Sequence, residues 1–391
     1  MIVVFDLLSA QPAGPYKFHG GGEYIKTVFR YYVSKYGNDD TIYVCLNEKK
    51  YIDQWIIDLI KQKEVKVSQA VSIDDIISFL YSFNNNVSIH FFAGLVYAYR
   101  NSIFPSNVFK VGTCHGLRAI EKPTDEYQNK YISLFDSGIV SVLTEYAQKY
   151  AKNILRKRHD NTYTNSISRF DIIITDSIHS QYSIKLNYAD AIKEKRIYVR
   201  YPMTQPVPDN TLDQGCFDEN YIMLISANRW TKNSYRACMA IDGLYSKGLI
   251  RNVRTKVYGN LPKKIRKKLK NHEMFEFYEY VSSEELEKAY ANCSVFFYPT
   301  LNEGFGNVPM EAMKYGKTCV VSAVCSLPEV YKDSVIYCNP YDLMEMQNRL
   351  LQALEIKIDK NIIKERLSYI YSRQISDMDS LCSIIREERN K

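Results

Sequence analysis

The chain has 391 residues, of which 46% are hydrophobic and 24% charged, with a formal net charge of +7. That balance excludes wholesale disorder, and the length points to two or three domains. The longest apolar run, Phe91 to Tyr99, is about half of the roughly 18–20 residues a bilayer span requires, and the charge permits contact with phosphates or an anionic membrane without demanding nucleic acid.

The first residues, Met1 to Leu8, are apolar but lack a basic flank and contain Asp6, which disfavours a secretory signal. Nine dispersed cysteines form no CxxC pair and no Cys/His cluster at zinc spacing, as suits reduced thiols. The expectation is a soluble, cytoplasmic protein. Tyrosine is abundant, at 33 copies spread over the whole chain rather than gathered in one patch.

Short β-branched or aromatic runs alternate with helical stretches, the pattern of stacked βαβ units. Strands are predicted at 2–8, 41–46, 87–92, 108–114, 171–175 and 196–201. Ile25, Val28, Phe29, Tyr32, Val33 and Tyr36 repeat at helical spacing between the first two, and Gly37 closes that helix. Residues 201–215 carry three prolines and no periodicity, and read as a linker. The alternation then restarts, with strands at 221–226, 255–259, 275–278, 295–298, 318–322 and 335–338. The prediction is an α/β chain of two tandem doubly wound domains, 1–205 and 206–370, whose ligands meet the carboxyl ends of the strands.

The most informative segment runs from Pro299 to Pro328. A strand leads into a loop with Gly304 and Gly306, then a helix near Val308 with Pro309 in its first turn. Amides at such a helix start favour a phosphate, and glycines let it approach the main chain. Glu303 and Glu311 flank the loop. A capping box headed by Asn307 would want its acid at Met310, so Glu311 is out of register for that role. A solvated loop acid is the plain reading of Glu303.

Glu303-Gly-Phe-Gly-x-x-x-x-Glu311 resembles the E-x7-E signature of retaining GT-B glycosyltransferases, and its surroundings are similar to glycosyltransferase family 4. Ser282-Ser-Glu-Glu-Leu, Tyr298-Pro-Thr and Leu327-Pro-Glu329 carry the likeness further. The resemblance implies two Rossmann-like domains facing across a cleft, the first for the acceptor and the second for the donor, with residues 371–391 packing back on the first. It implies that Glu311 holds the nucleotide ribose, that Glu303 contacts the donor sugar, and that the stretch Gly304, Phe305, Gly306 and Asn307 meets diphosphate or sugar.

Three further elements fit the resemblance. Arg229 and Lys232, after a strand, resemble the basic pair that clamps the diphosphate, although their spacing is shorter than is common in the family. Two exposed cations opening a helix would instead oppose its dipole. His115, in Gly112-Thr-Cys-His-Gly-Leu-Arg118, resembles the family's histidine near the donor sugar, with Arg118 a candidate for phosphate or acceptor. His19-Gly-Gly-Gly-Glu23, between the first strand and helix, is not the dinucleotide fingerprint. The resemblance suggests Gly21 and Gly22 approach donor or acceptor, and a flexible turn is the alternative.

The resemblance therefore implies a retaining transferase that moves a sugar from a nucleoside-diphosphate donor to an acceptor hydroxyl, in bacterial surface polysaccharide or related glycan assembly. Adjacent acids such as Asp39-Asp40 are not the spaced pair of metal-using GT-A enzymes, so no metal is expected. A nucleotide-sugar 2-epimerase, a non-catalytic sugar-nucleotide module and a DNA-modifying transferase remain alternatives. Two basic stretches, 149–158 and 261–270, read first as solvated helix faces, and the first of them, in the acceptor half, has contact with an anionic membrane beside a lipid-linked acceptor as its alternative.

Overall fold

A computed structural model describes residues 1–12, 19–131, 153–154, 156–157, 159–203, 219–279 and 281–387. It divides into two compact units. The first comprises Met1–Leu117, Lys157–Thr204 and Ser372–Lys391, and the second Arg118–Arg156 and Gln205–Tyr371. The division after Thr204 falls beside the split expected near 205. The stretch after Leu117, however, groups with the second unit rather than with the first domain.

The first unit holds a seven-stranded parallel sheet ordered β3-β2-β1-β4-β5-β6-β7. Its strands are β1 (Ile2–Asp6), β2 (Thr41–Leu46), β3 (Lys66–Gln69), β4 (Ile89–Ala93), β5 (Val108–Cys114), β6 (Ile172–Thr175) and β7 (Arg196–Val199). Central strands β4 and β5 are buried along their whole length, as a sheet covered on both faces requires. The helix Gly20–Tyr36 buries Ile25, Val28, Phe29, Tyr32 and Val33 against β1, with Phe5 edge-on to Phe29 at 5.6 Å. Sequence reading missed β3. Its residues, Lys-Val-Ser-Gln, form a polar edge strand with Val67 at 40% exposure, so they carry no apolar pattern.

Met378, Leu381, Cys382 and Ile385, near the chain's end, join the same core as Val3 and Phe5. Polar ties hold them there. Gln374 donates to the Pro202 carbonyl at 2.7 Å, and the Tyr201 amide donates to Asp377 at 2.9 Å.

The second unit holds a six-stranded parallel sheet ordered β10-β9-β8-β11-β12-β13. Its strands are β8 (Tyr221–Leu224), β9 (Arg254–Tyr258), β10 (Phe275–Tyr278), β11 (Val295–Tyr298), β12 (Thr318–Ser322) and β13 (Ile336–Cys338). Strand order reverses between β8 and β11, and loops leaving two such strands diverge to open a crevice. The motifs around 229 and 303 sit on those two loops.

Most of the 201–215 linker and of the 149–158 basic stretch lies outside the described residues. In the other basic stretch Leu261, Ile265 and Leu269 are buried, so one face packs and the cations line the other. Among the described residues the cysteines are free thiols, and no helix is long and apolar enough to cross a membrane.

Candidate functional site

The sequence-predicted residues fall into two groups, one in each unit. In the second unit, the loop after β8 and the loop after β11 are stitched together. The Leu301 amide and the Thr300 hydroxyl both donate to the Thr231 carbonyl, at 2.8 and 3.1 Å. Asn233 adopts a left-handed backbone (φ 61°) and donates to the carbonyls of Pro299 at 3.0 Å and Pro340 at 2.7 Å. Asparagine tolerates that conformation better than most side chains, and its amide then clamps the turn. Arg229 and Lys232 are thereby held against the Glu303 loop.

Lys232 is buried, at 7% exposure, and its ammonium donates to both Tyr298 Oη and Glu303 Oε1. The Tyr298 and Thr300 hydroxyls donate to the same oxygen, at 2.7 and 2.9 Å. Three donors thus converge on Oε1. Burial alone would push the Glu303 carboxyl up; Lys232 and the two hydroxyls outweigh it and hold its pKa below the usual value. Burial lowers the Lys232 pKa, Glu303 opposes this, and the charges of Arg229 and Arg118 lower it further. Both shifts are downward for different reasons: burial is the main cause at Lys232, and the Lys232 charge with the two hydroxyl donors is the cause at Glu303. The picture of two exposed cations at a helix start is therefore corrected for Lys232, while Arg229 remains exposed.

The glycine loop is fixed from behind. Ser326 Oγ donates to the carbonyls of Glu303 at 3.2 Å and Phe305 at 2.9 Å, and the Tyr331 hydroxyl donates to the Gly306 carbonyl. Gly306 has φ +89°, and a Cβ there would lie 2.5 Å from Leu327 Cδ2. The positive φ is what favours glycine, and any side chain there would also have to displace the Leu327 methyl. Phe305 is buried, and Gly304 stands between it and Glu303. Asn307 caps the helix Val308–Met313 without a side-chain bond, its Oδ1 buried and unpartnered. Glu311 stands in the first turn, 38% exposed, and pairs with Lys314 at 2.8 Å.

In the first unit, the glycines 20–22 are not a loop before the helix but its first turn. His19 is the cap, its Nδ1 accepting the Gly22 amide at 3.0 Å, so that donor is already satisfied. Small residues suit the site because a Cβ on Gly22 would meet the Ala10 carbonyl oxygen at 2.9 Å, and one on Gly21 would meet Leu95 at 2.9 Å. Gly21 lies beside His115, whose Nε2 would be 3.8 Å from that Cβ. His115 Nδ1 lies 2.7 Å from Asp176 Oδ2, and the Tyr24 ring meets the imidazole edge-on at 4.9 Å. Burial pulls the imidazole pKa down, but the Asp176 carboxylate outweighs it and leaves it raised.

Arg118 was expected on the first, acceptor-side domain. It belongs instead to the second unit, three residues beyond His115. Sequence reasoning gave no role to Asp176, Asn233, Tyr298, Thr300, Ser326 or Tyr331. Tyr298-Pro-Thr300 stood inside a quoted motif and Asn233 directly follows Lys232, so their nearness in sequence to Glu303 and Lys232 was the available signal.

Residues 216–368 match the model of a family described as Glycosyl transferases group 1. Over 76 residues the chain is 41% identical to O-antigen chain mannosyltransferase B of Escherichia coli, a match covering 19% of this chain and 20% of that relative. The chain thus aligns with only about a fifth of that relative's length. Among solved structures, a sucrose-phosphate synthase from Thermosynechococcus elongatus superposes with a TM-score of 0.65 at 12% identity, covering 98% of both chains. Anabaena HepE, in complex with UDP, gives 0.64 at 13% identity over 99% of this chain and 100% of its own. At such identities these likenesses show the fold, which is that of GT-B glycosyltransferases.

Proposed function

We propose, from the match of residues 216–368 to the glycosyl transferases group 1 model, that the chain is a retaining glycosyltransferase acting on a nucleoside-diphosphate sugar. The second unit binds the donor and the first binds the acceptor. The observation that carries this reading is the buried Lys232–Glu303 pair with Arg229 beside it, set on two loops at the switch point of a parallel sheet. The bond from the anomeric carbon to the diphosphate oxygen breaks as the acceptor oxygen bonds to that carbon from the same face. The acceptor proton passes to the departing diphosphate oxygen, so no side-chain nucleophile is needed.

Each residue has a part in this step. Lys232 and Arg229 offset charge that grows on the leaving group, an interaction strongest in the transition state. Glu303, tied through Oε1, presents its other oxygen to a sugar hydroxyl. Glu311 holds the ribose, and the main chain of Gly304 to Asn307 meets the phosphates. His115 contacts the sugar, with Gly21 and Gly22 giving it room. Side-chain cations supply the positive charge, and the reading needs no metal.

The relative's printed name, O-antigen chain mannosyltransferase, supports bacterial surface polysaccharide assembly as the setting. The UDP complex of HepE supports a nucleotide-sugar donor. The chain works at the cytoplasmic side of such a pathway, resting against the membrane that holds a lipid-linked acceptor. The test is release of nucleoside diphosphate from a panel of nucleotide sugars by wild type, Glu303→Ala and Lys232→Ala. Hydrolysis of one donor, lost in both variants, supports the reading. Epimerisation of the sugar without release would replace it with an isomerase. Once an acceptor is found, the anomeric configuration of the product by NMR decides retention.

A further inference from the structure

The segment that leaves β5 does not stay with its own sheet. Residues 118–131 are built into the second unit by a set of directed contacts. Arg236, 4% exposed, forks onto Asp125 at 3.0 and 3.2 Å and onto Glu126 at 2.7 Å, with its guanidinium 4.4 Å from the Tyr127 ring centroid. Lys122 adds a second cation on Asp125 at 3.1 Å. The Tyr235 amide donates to the Tyr131 hydroxyl at 2.7 Å. A buried fork of this kind fixes geometry, since either partner alone would be left uncompensated.

The near end of this strap reaches the donor loops. Asn302, the residue before Glu303, donates from Nδ2 to Glu121 Oε2 at 2.6 Å. That bond sets the single helical turn Arg118–Glu121 on the Glu303 loop. Arg118 itself is exposed, and none of the ion pairs or hydrogen bonds described above uses its guanidinium. Its charge bears on Lys232 together with that of Arg229, against the one carboxylate of Glu303. The Asn302–Glu121 bond thus sets the turn that carries Arg118 on the loop of a Lys232–Glu303 pair whose two charges already cancel, with Arg229 on the neighbouring loop. Gathering uncompensated like charges is unfavourable unless an anion joins them.

We propose that Arg118, carried by the strap 118–131, is a third donor-site cation and binds the diphosphate of the nucleotide sugar alongside Arg229 and Lys232. Glu121 and Asn302 are its positioning residues. The inference rests on the reading of Arg229 and Lys232 as diphosphate-binding. A planar guanidinium can hold two phosphate oxygens at once, which an ammonium cannot.

Calorimetric titration of the full chain with UDP, GDP and ADP, and with the corresponding monophosphates, tests this. Arg118→Ala should weaken the preferred diphosphate about tenfold, as loss of one charge-assisted contact does, and the monophosphate by much less. Arg118→Lys should recover only part of the loss. Glu121→Ala, with Arg118 intact, should weaken the diphosphate in the same direction, and the double variant should be no worse than Arg118→Ala alone. If Lys232→Ala weakens binding and Arg118→Ala does not, Arg118 has no such role and the donor-site reading stands. If neither variant changes binding, or wild type binds no diphosphate, the donor-site reading fails and this proposal with it.

Discussion

His115 and Asp176 stand one residue beyond a paired position of two neighbouring strands. Cys114 of β5 is in register with Thr175 of β6, and their successors meet at 2.7 Å between Nδ1 and Oδ2. Sheet register, rather than any local motif, therefore makes the pair. With Nδ1 facing the carboxylate, the ring's other nitrogen, Nε2, is buried on the far side of the imidazole.

The pair gives a pH signature. The imidazole pKa is raised in the folded chain, so its stabilising contribution is full below the unfolded value of about 6.5 and is lost as pH rises through the folded value. Asp176→Asn should cost about 1–2 kcal/mol in urea unfolding at pH 5 and much less at pH 9. An equal cost at both pH values would mean that the imidazolium is not what Asp176 stabilises.

Lys232 and Glu303 depend on one another for burial. Lys232→Met leaves a carboxylate with two hydroxyl donors, and Glu303→Gln leaves a buried ammonium beside Arg229. Each single variant should lose about 3 kcal/mol, while the double variant should lose less than their sum. Urea midpoints of the four proteins provide the cycle. Strict additivity would show that the two groups are not coupled.

Glycines that look alike in sequence should behave in opposite ways. Gly306→Ala forces a side chain onto φ +89° with Leu327 at 2.5 Å, and should cost about 1–3 kcal/mol. Gly20 begins a helix, and a Cβ there would have nothing within 4 Å, so Gly20→Ala should stabilise by about 0.5–1 kcal/mol. Thermal midpoints moving in opposite directions are the expected result.

The alternating pattern made both parallel sheets legible, because buried central strands such as β5 have little choice but to be apolar. Polar edge strand β3 had no such pattern to show. The Glu303 loop was legible as a motif, but its support was not. Ser326 and Tyr331 reach it from more than 20 residues downstream, and Thr231 from some 70 upstream. The three glycines at 20–22 misled in the other direction. A histidine cap and close neighbours at Ala10 and Leu95 make a helical turn from residues that alone favour a loop.

The donor reading assigns the leaving-group charge to side chains, and chelation tests that assignment. Turnover in excess EDTA should equal that in its absence, and added magnesium should change it by less than about twofold. Raising salt should reduce diphosphate affinity, because exposed Arg229 is screened while buried Lys232 is not. Loss of turnover in EDTA, restored by a divalent cation, would show that Arg229 and Lys232 do not carry the charge by themselves.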